Sequence, residues 1–62
     1  MPSLLANIRF LNLDPKQSYR LKKAGFTTVA DLLLNTSKTI SVTSKLGKNA
    51  IDEIINNIKI DD

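Results

Sequence analysis

Cysteine and histidine are absent from this 62-residue chain, and aromatic residues make up only 5% of it. Without Cys there is neither a disulfide framework nor a thiolate zinc site. Without His the commonest general base and the commonest metal ligand are missing. No apolar run approaches the roughly 18 residues that a membrane span needs. The first fifteen residues hold one Arg and no long apolar stretch, so a secretory leader is not expected. A soluble, intracellular domain is the expectation. Turn-forming residues are also scarce, with two Gly and two Pro in the whole sequence. No linker or low-complexity tract divides it, so residues 1–62 are expected to form one domain.

Hydrophobic residues make up 42% of the sequence and charged residues 24%, too apolar a mixture for a disordered segment. A polypeptide this short buries only about 60% of the surface its unfolded form exposes, which leaves one modest core and no enclosed site. Nine basic residues against six acidic ones give a net charge of +3. That balance permits an anionic partner without requiring one. Seven of the cations are Lys and two are Arg (Arg9 and Arg20), whereas Arg makes the commonest base-edge contact.

Asp14-Pro15 predicts a helix start: Asp14 as N-cap, and Pro15 at the first helical position, where no N–H is needed. The segment then runs unbroken to Ala24, and Gly25 is placed to stop it in a left-handed conformation. Phe26 should enter the core. Thr27 or Thr28 can cap a second, two-turn helix whose apolar content is Val29 to Leu34. Asp31 lies in its first turn, on the favourable side of the helix dipole. Asn35 and Thr36 should end it. From Thr36 to Ser44 the signals conflict. Ile40 and Val42 alternate as in a strand. A lone strand has no partner, so a short helical turn capped by Thr36 or Ser37, with Ile40 inward, is preferred. Ile51, Ile54, Ile55 and Ile58 then mark one stripe of a final helix. Lys48, Asp52, Asn56 and Lys59 lie on its opposite side, and the helix should fray before Asp61-Asp62. Near the N-terminus Ser3 can cap a turn, and Ile8, Leu11 and Leu13 are core candidates. The architecture predicted is all-α, four or five short helices, with tight turns at Gly25 and Gly47.

Catalytic chemistry has little to work with. Asp14 and Asp31 serve helix starts, and Asp52 and Glu53 are adjacent on a helix and diverge. No His can activate a hydroxyl, and no Gly-rich phosphate loop of Walker or Rossmann form occurs. No catalytic residue, metal, cofactor or small-molecule substrate is expected.

One segment does carry positive content. In Ser44-Lys45-Leu46-Gly47-Lys48-Asn49-Ala50-Ile51 a glycine opens a helix. Free amides and the positive end of the helix dipole favour phosphate there, with Lys45 and Lys48 flanking it. This is the form of a helix-hairpin-helix element, which grips nucleic-acid backbone without reading bases. The competing interpretation is a plain turn with Lys48 solvated. A second basic group on the first helix is Lys16, Arg20, Lys22 and Lys23, of which Lys16, Arg20 and Lys23 are spaced i, i+4 and i+7 as one stripe. It comes near the Gly47 turn if the two hairpins pack side by side. Tyr19 beside it can meet a sugar or a partner side chain, or half-bury itself.

The sequence resembles the C-terminal domain of the bacterial RNA polymerase alpha subunit. The resemblance rests on Leu11-Asn12-Leu13, Leu21-Lys22-Lys23-Ala24-Gly25-Phe26, Thr28-Val29-Ala30-Asp31-Leu32-Leu33 and Leu46-Gly47-Lys48-Asn49-Ala50-Ile51-Asp52-Glu53-Ile54. These stretches align without a gap over residues 4–60. The resemblance implies a compact helical fold with helix-hairpin-helix character, helical also over Thr36 to Ser44. It implies binding of A/T-rich DNA through the minor groove, contacts with activators and sigma factor, and a place in the bacterial cytoplasm or nucleoid. The contact positions carry over in part. The family's leading Arg is Lys16 here, which keeps the charge but lacks the planar fork. A usual DNA-contacting Asn is Tyr19. Gly47 and Lys48 match; the next two positions, usually Lys and Ser, are Asn49 and Ala50; Glu53 is kept. The acidic patch towards sigma reads Arg9, Phe10 and Asn12.

Two functions follow as expectations. The first is a non-catalytic, weak DNA-backbone or A/T-rich binder using Lys16, Arg20, Gly47, Lys48 and Asn49. The second is a polymerase- or transcription-factor-binding adaptor using Tyr19, Phe10, Arg9 and Glu53. Phe10 beside Arg9 suits a protein-facing surface if exposed, and the core if not.

Overall fold

The computed structural model describes residues 3–60. In sequence order it holds a 3₁₀ turn (Ile8–Phe10), α1 (Pro15–Lys23), α2 (Val29–Leu33), α3 (Ser37–Ser44) and α4 (Lys48–Ile60). No strand occurs among the described residues. A single antiparallel bridge joins Asn7 to Thr28. The domain is therefore all-α, as expected, with four α-helices. The fraying expected at Asp61-Asp62 lies outside the described residues.

Helix α1 begins and ends where its sequence directs. Asp14 is the extended N-cap and Pro15 the first helical residue. Asp14 and Gln17 form a capping box. Its reverse arm, Gln17 Oε1 accepting from the Asp14 N–H, is a 3.3 Å hydrogen bond, whereas the carboxylate arm is looser. At the far end Gly25 adopts φ 97°. The Phe26 N–H donates to Leu21 O at 2.8 Å and the Gly25 N–H to Lys22 O at 3.0 Å. That pair of bonds is a Schellman motif, and it delivers Phe26 into the core beside Leu21.

Helix α2 has Thr28 as N-cap, its hydroxyl accepting from the Asp31 N–H at 3.3 Å. The N-terminal segment completes the job. Ser3 heads a turn, with Ala6 N–H donating to Ser3 O at 3.0 Å and Leu5 N–H to Ser3 Oγ at 3.3 Å. The carbonyls of Ala6 and Leu4 then accept from Val29 and Ala30 at 3.0 and 2.9 Å. Leu34, expected within the apolar content of this helix, is instead its C-cap and 84% exposed.

The segment with conflicting signals is a full two-turn helix, longer than the single turn expected. Thr36 is its N-cap, accepting from the Thr39 N–H at 3.2 Å. Ile40 is fully buried and Val42 is exposed. Two residues on a helix are about 200° apart, so the period-two spacing that suggests a strand here separates the pair.

Every element contributes to one core: Ile8, Leu21, Val29, Leu32, Ile40 and Ile51 are its fully buried members. Ile54 and Ile58 complete the α4 stripe, while Ile55 packs at its margin, as do Leu11 and Leu13. Helix α4 packs on α3, and α3 on α1. Phe10 is outside this core, 73% exposed.

The α3–α4 turn leads into α4 at Gly47, as expected, and its backbone turns left-handed two residues earlier. Its left-handed residue is Lys45, with φ 64°, and Gly47 has no positive φ. A left-handed conformation costs a non-Gly residue about 1–2 kcal/mol. Local hydrogen bonds offset that cost. The Lys45 N–H donates to Ser41 O at 2.8 Å. Ser41 Oγ donates to Leu46 O at 2.5 Å. The buried Ser44 hydroxyl donates to Ile40 O at 2.6 Å and accepts from the Leu46 N–H at 3.3 Å.

Candidate nucleic-acid interface

The turn just described presents the start of α4 outward. Gly47 O accepts from the Ile51 N–H at 3.1 Å, so Gly47 is the residue that caps the helix. As a glycine it offers no capping side chain. Among the described residues, no acceptor meets the N–H groups of Lys48, Asn49 and Ala50. A Cβ at Gly47 would meet nothing within 4 Å. Neither backbone conformation nor internal packing therefore requires glycine at this position. What glycine does supply is room for an outside group to approach the three amides. Gly47, Lys48 and Asn49 are all exposed.

Lys48 is not a solitary charge. Its Nζ lies 3.1 Å from Asp52 Oδ2, an exposed i, i+4 pair. The Ser37 hydroxyl first, and Lys48 second, hold the Asp52 carboxyl below its ordinary value. This partner is legible in the spacing of the two residues. Pairing with Asp52 reduces the charge Lys48 offers to an anion.

Helix α1 reaches the same turn. Arg20 Nη1 donates to Lys45 O at 3.3 Å, across 25 residues of sequence. The conditional expectation that the basic stripe approaches the Gly47 turn is met at this contact. Lys16 lies one turn before Arg20 on α1 and is exposed. Between α1 and the end of α3 runs an open groove of about 480 Å³, lined by Tyr19, Arg20, Lys23, Thr43, Ser44 and Lys45. Tyr19 is 62% exposed, and Lys23 Nζ stands 5.7 Å from its ring centroid. The cations here sit at the C-terminal ends of α1 and α3, where they also complement the helix dipoles. The sequence marks Lys45 only as a flanking charge. Nothing in its identity signals a left-handed backbone.

Arg9 and Phe10 occupy a different element, the 3₁₀ turn, and do not line the groove. The Arg9 guanidinium lies 5.1 Å from the centroid of the exposed Phe10 ring. Glu53 is exposed on α4, one turn beyond Asn49. Among the described residues no group of acidic side chains is arranged to hold a metal.

A family model for the C-terminal domain of the bacterial RNA polymerase alpha subunit matches residues 1–59. The protein belongs to this family. Neither the curated proteins nor the solved structures compared with it include a significant match. The alpha C-terminal domain is a non-catalytic, DNA-binding part of the transcription machinery. Among the described residues no helix is long and apolar enough to cross a membrane.

Proposed function

We propose that this alpha C-terminal-type domain binds DNA chiefly through the phosphate backbone, with the start of α4 as the anchor. The observation that carries the reading is the set of three amides, at Lys48, Asn49 and Ala50, that meet no acceptor among the described residues, behind a glycine whose outer face is open. A phosphate there meets N–H donors and the positive end of a 13-residue helix. Lys48 and Asn49 flank it, and Lys16 on α1 approaches the groove or a second phosphate, with Arg20 beside it. Lys at position 16 suits charge neutralisation better than readout of a narrow minor groove, so preference for A/T-rich sequence should be modest. With few contacts, affinity should fall at about 10⁻⁴ to 10⁻⁶ M at physiological salt. Such affinity suffices where the domain is tethered in a larger polymerase assembly at the nucleoid, because tethering raises the effective concentration.

The test is fluorescence anisotropy with A/T-rich and G/C-rich duplexes at two salt concentrations. Salt-sensitive binding supports the reading, and the difference between duplexes measures sequence preference. Absence of binding at submillimolar protein and low salt rejects it. A second reading, a module docking on the polymerase or a transcription factor, is favoured by the exposed Phe10 with Arg9 against its ring. Tyr19 on α1 and Glu53 on α4, both exposed, are the other candidate contact residues for this reading. Phe10→Ala should then abolish partner binding and leave DNA titrations unchanged.

A further inference from the structure

We infer that Arg20 is a positioning residue: its guanidinium latches the left-handed Lys45 turn to α1 and so sets the α4 amides in register with Lys16. The inference rests on the DNA-binding reading for its consequence, but not for its geometry.

Three side chains hold the turn between α3 and α4. Ser41 and Ser44 act from within α3, bonding Leu46 O and the Leu46 N–H. Arg20 alone among the three comes from another helix, donating Nη1 to Lys45 O at 3.3 Å. Lys45 is the residue that needs holding, because its φ of 64° is disfavoured for any side chain with a Cβ. Two residues later comes Gly47, and then the bare start of α4. A change in the peptide after Lys45 therefore swings the whole amide cluster. One turn before Arg20, on the same stripe of α1, is Lys16. The Arg20–Lys45 bond thus ties together the two halves of the proposed interface, which come from opposite ends of the sequence. A guanidinium suits this role, because its donors project in a fixed fork and its stem packs while its head stays bonded.

A phosphate-contacting Arg and a positioning Arg differ in measurable ways. Removing one phosphate contact lowers the salt slope of log K by about 0.9, whereas loss of positioning weakens binding without changing the slope. Arg20→Met keeps the apolar stem and removes the donors, so the fold is retained; Lys16→Met is the control. In the DNA-free domain, Arg20→Met should shift the amide resonances of Lys45 to Ala50 and speed hydrogen exchange at Lys45, Leu46 and Ile51. Lys16→Met should leave them in place. With DNA, Arg20→Met should lower affinity about fivefold with the wild-type slope, and Lys16→Met should lower the slope. Unchanged turn amides in Arg20→Met, or a slope reduced by about 0.9, would overturn the positioning role. If the wild-type domain binds no DNA, the functional reading fails while the amide measurements still decide whether Arg20 holds the turn.

Discussion

At the start of α2 the N–H groups of Val29, Ala30 and Asp31 donate to Ala6 O, Leu4 O and Thr28 Oγ1. The Asp31 carboxylate turns back to accept from Thr27 and Thr28 at 2.8 and 3.0 Å. At the start of α4 the corresponding amides of Lys48, Asn49 and Ala50 meet no acceptor among the described residues. Both helices face the same problem of unpaired donors and a positive dipole end. In α2 the protein supplies its own carbonyls and a negative charge, so the helix start becomes a joint that pins the N-terminal segment. In α4 a glycine stands where a cap would be, and a Lys follows it. The first start serves stability, and the second is the one proposed above to meet an external anion.

Dismantling the closed start has the largest expected effect. Ile8 is fully buried and fixes the segment whose carbonyls serve α2. Ile8→Ala should cost about 2–4 kcal/mol, read by denaturant unfolding, because it combines lost burial with a cavity. The Val29 and Ala30 amides should exchange faster in that variant, and those of Lys48 to Ala50 should not change.

Closing the open start should have the converse effect. Gly47→Asp gives α4 an N-cap side chain and should raise stability by a few tenths of a kcal/mol. It also puts a carboxylate where the phosphate is proposed to sit. DNA affinity should fall about tenfold or more in anisotropy titrations, a loss of about 1.4 kcal/mol. Undiminished binding by a stabilised Gly47→Asp domain would place the DNA contact elsewhere.

Removing the charge of the closed start is a smaller perturbation. The backbone N–H of Thr28, then that of Thr27, holds the Asp31 carboxyl below its ordinary value of 3.8. A carboxylate with a lowered folded-state pKa stabilises the fold above its unfolded value. That contribution is lost as pH falls from about 4 through the folded pKa. Asp31→Ala should cost about 1 kcal/mol at neutral pH. Its stability should also fall less steeply than wild type below pH 4, measured by thermal unfolding across the acid range.

The two starts are unequally legible in the sequence. Thr28 and Asp31 have the spacing of a capping box, so the closed start shows in a four-residue window. The carbonyls that complete it come from Leu4 and Ala6, more than twenty positions away, and no local pattern announces them. The glycine of the open start is equally plain. Its conformational role is not, because the left-handed residue is Lys45 and the bonds that hold it come from Ser41, Ser44 and Arg20. The Ser37–Ser44 helix is obscured for a related reason. Its β-branched residues favour strands locally, and burial of Ile40 in the common core overrides that preference. Phe10 can be placed only from the structure, since an aromatic beside an Arg suits core and surface alike.

The smallest effect concerns how open the open start is. Lys48 flanks the bare amides, yet its ammonium is shared with Asp52 at 3.1 Å. An exposed i, i+4 pair is weak, so it is readily exchanged for a phosphate. The carboxylate would nevertheless repel the proposed phosphate from one helical turn away. Asp52→Asn removes the repulsion and frees Lys48. Affinity for DNA should therefore rise about two- to threefold at low salt, with the gain shrinking as salt increases. The cost falls on the fold, which loses the Lys48–Asp52 ion pair. Stability should drop slightly even as binding improves. Opposite signs for the two readouts would show that Asp52 serves the fold at the expense of the interface. A fall in both would mean that the Lys48–Asp52 pair orients Lys48 for its phosphate rather than competing with it.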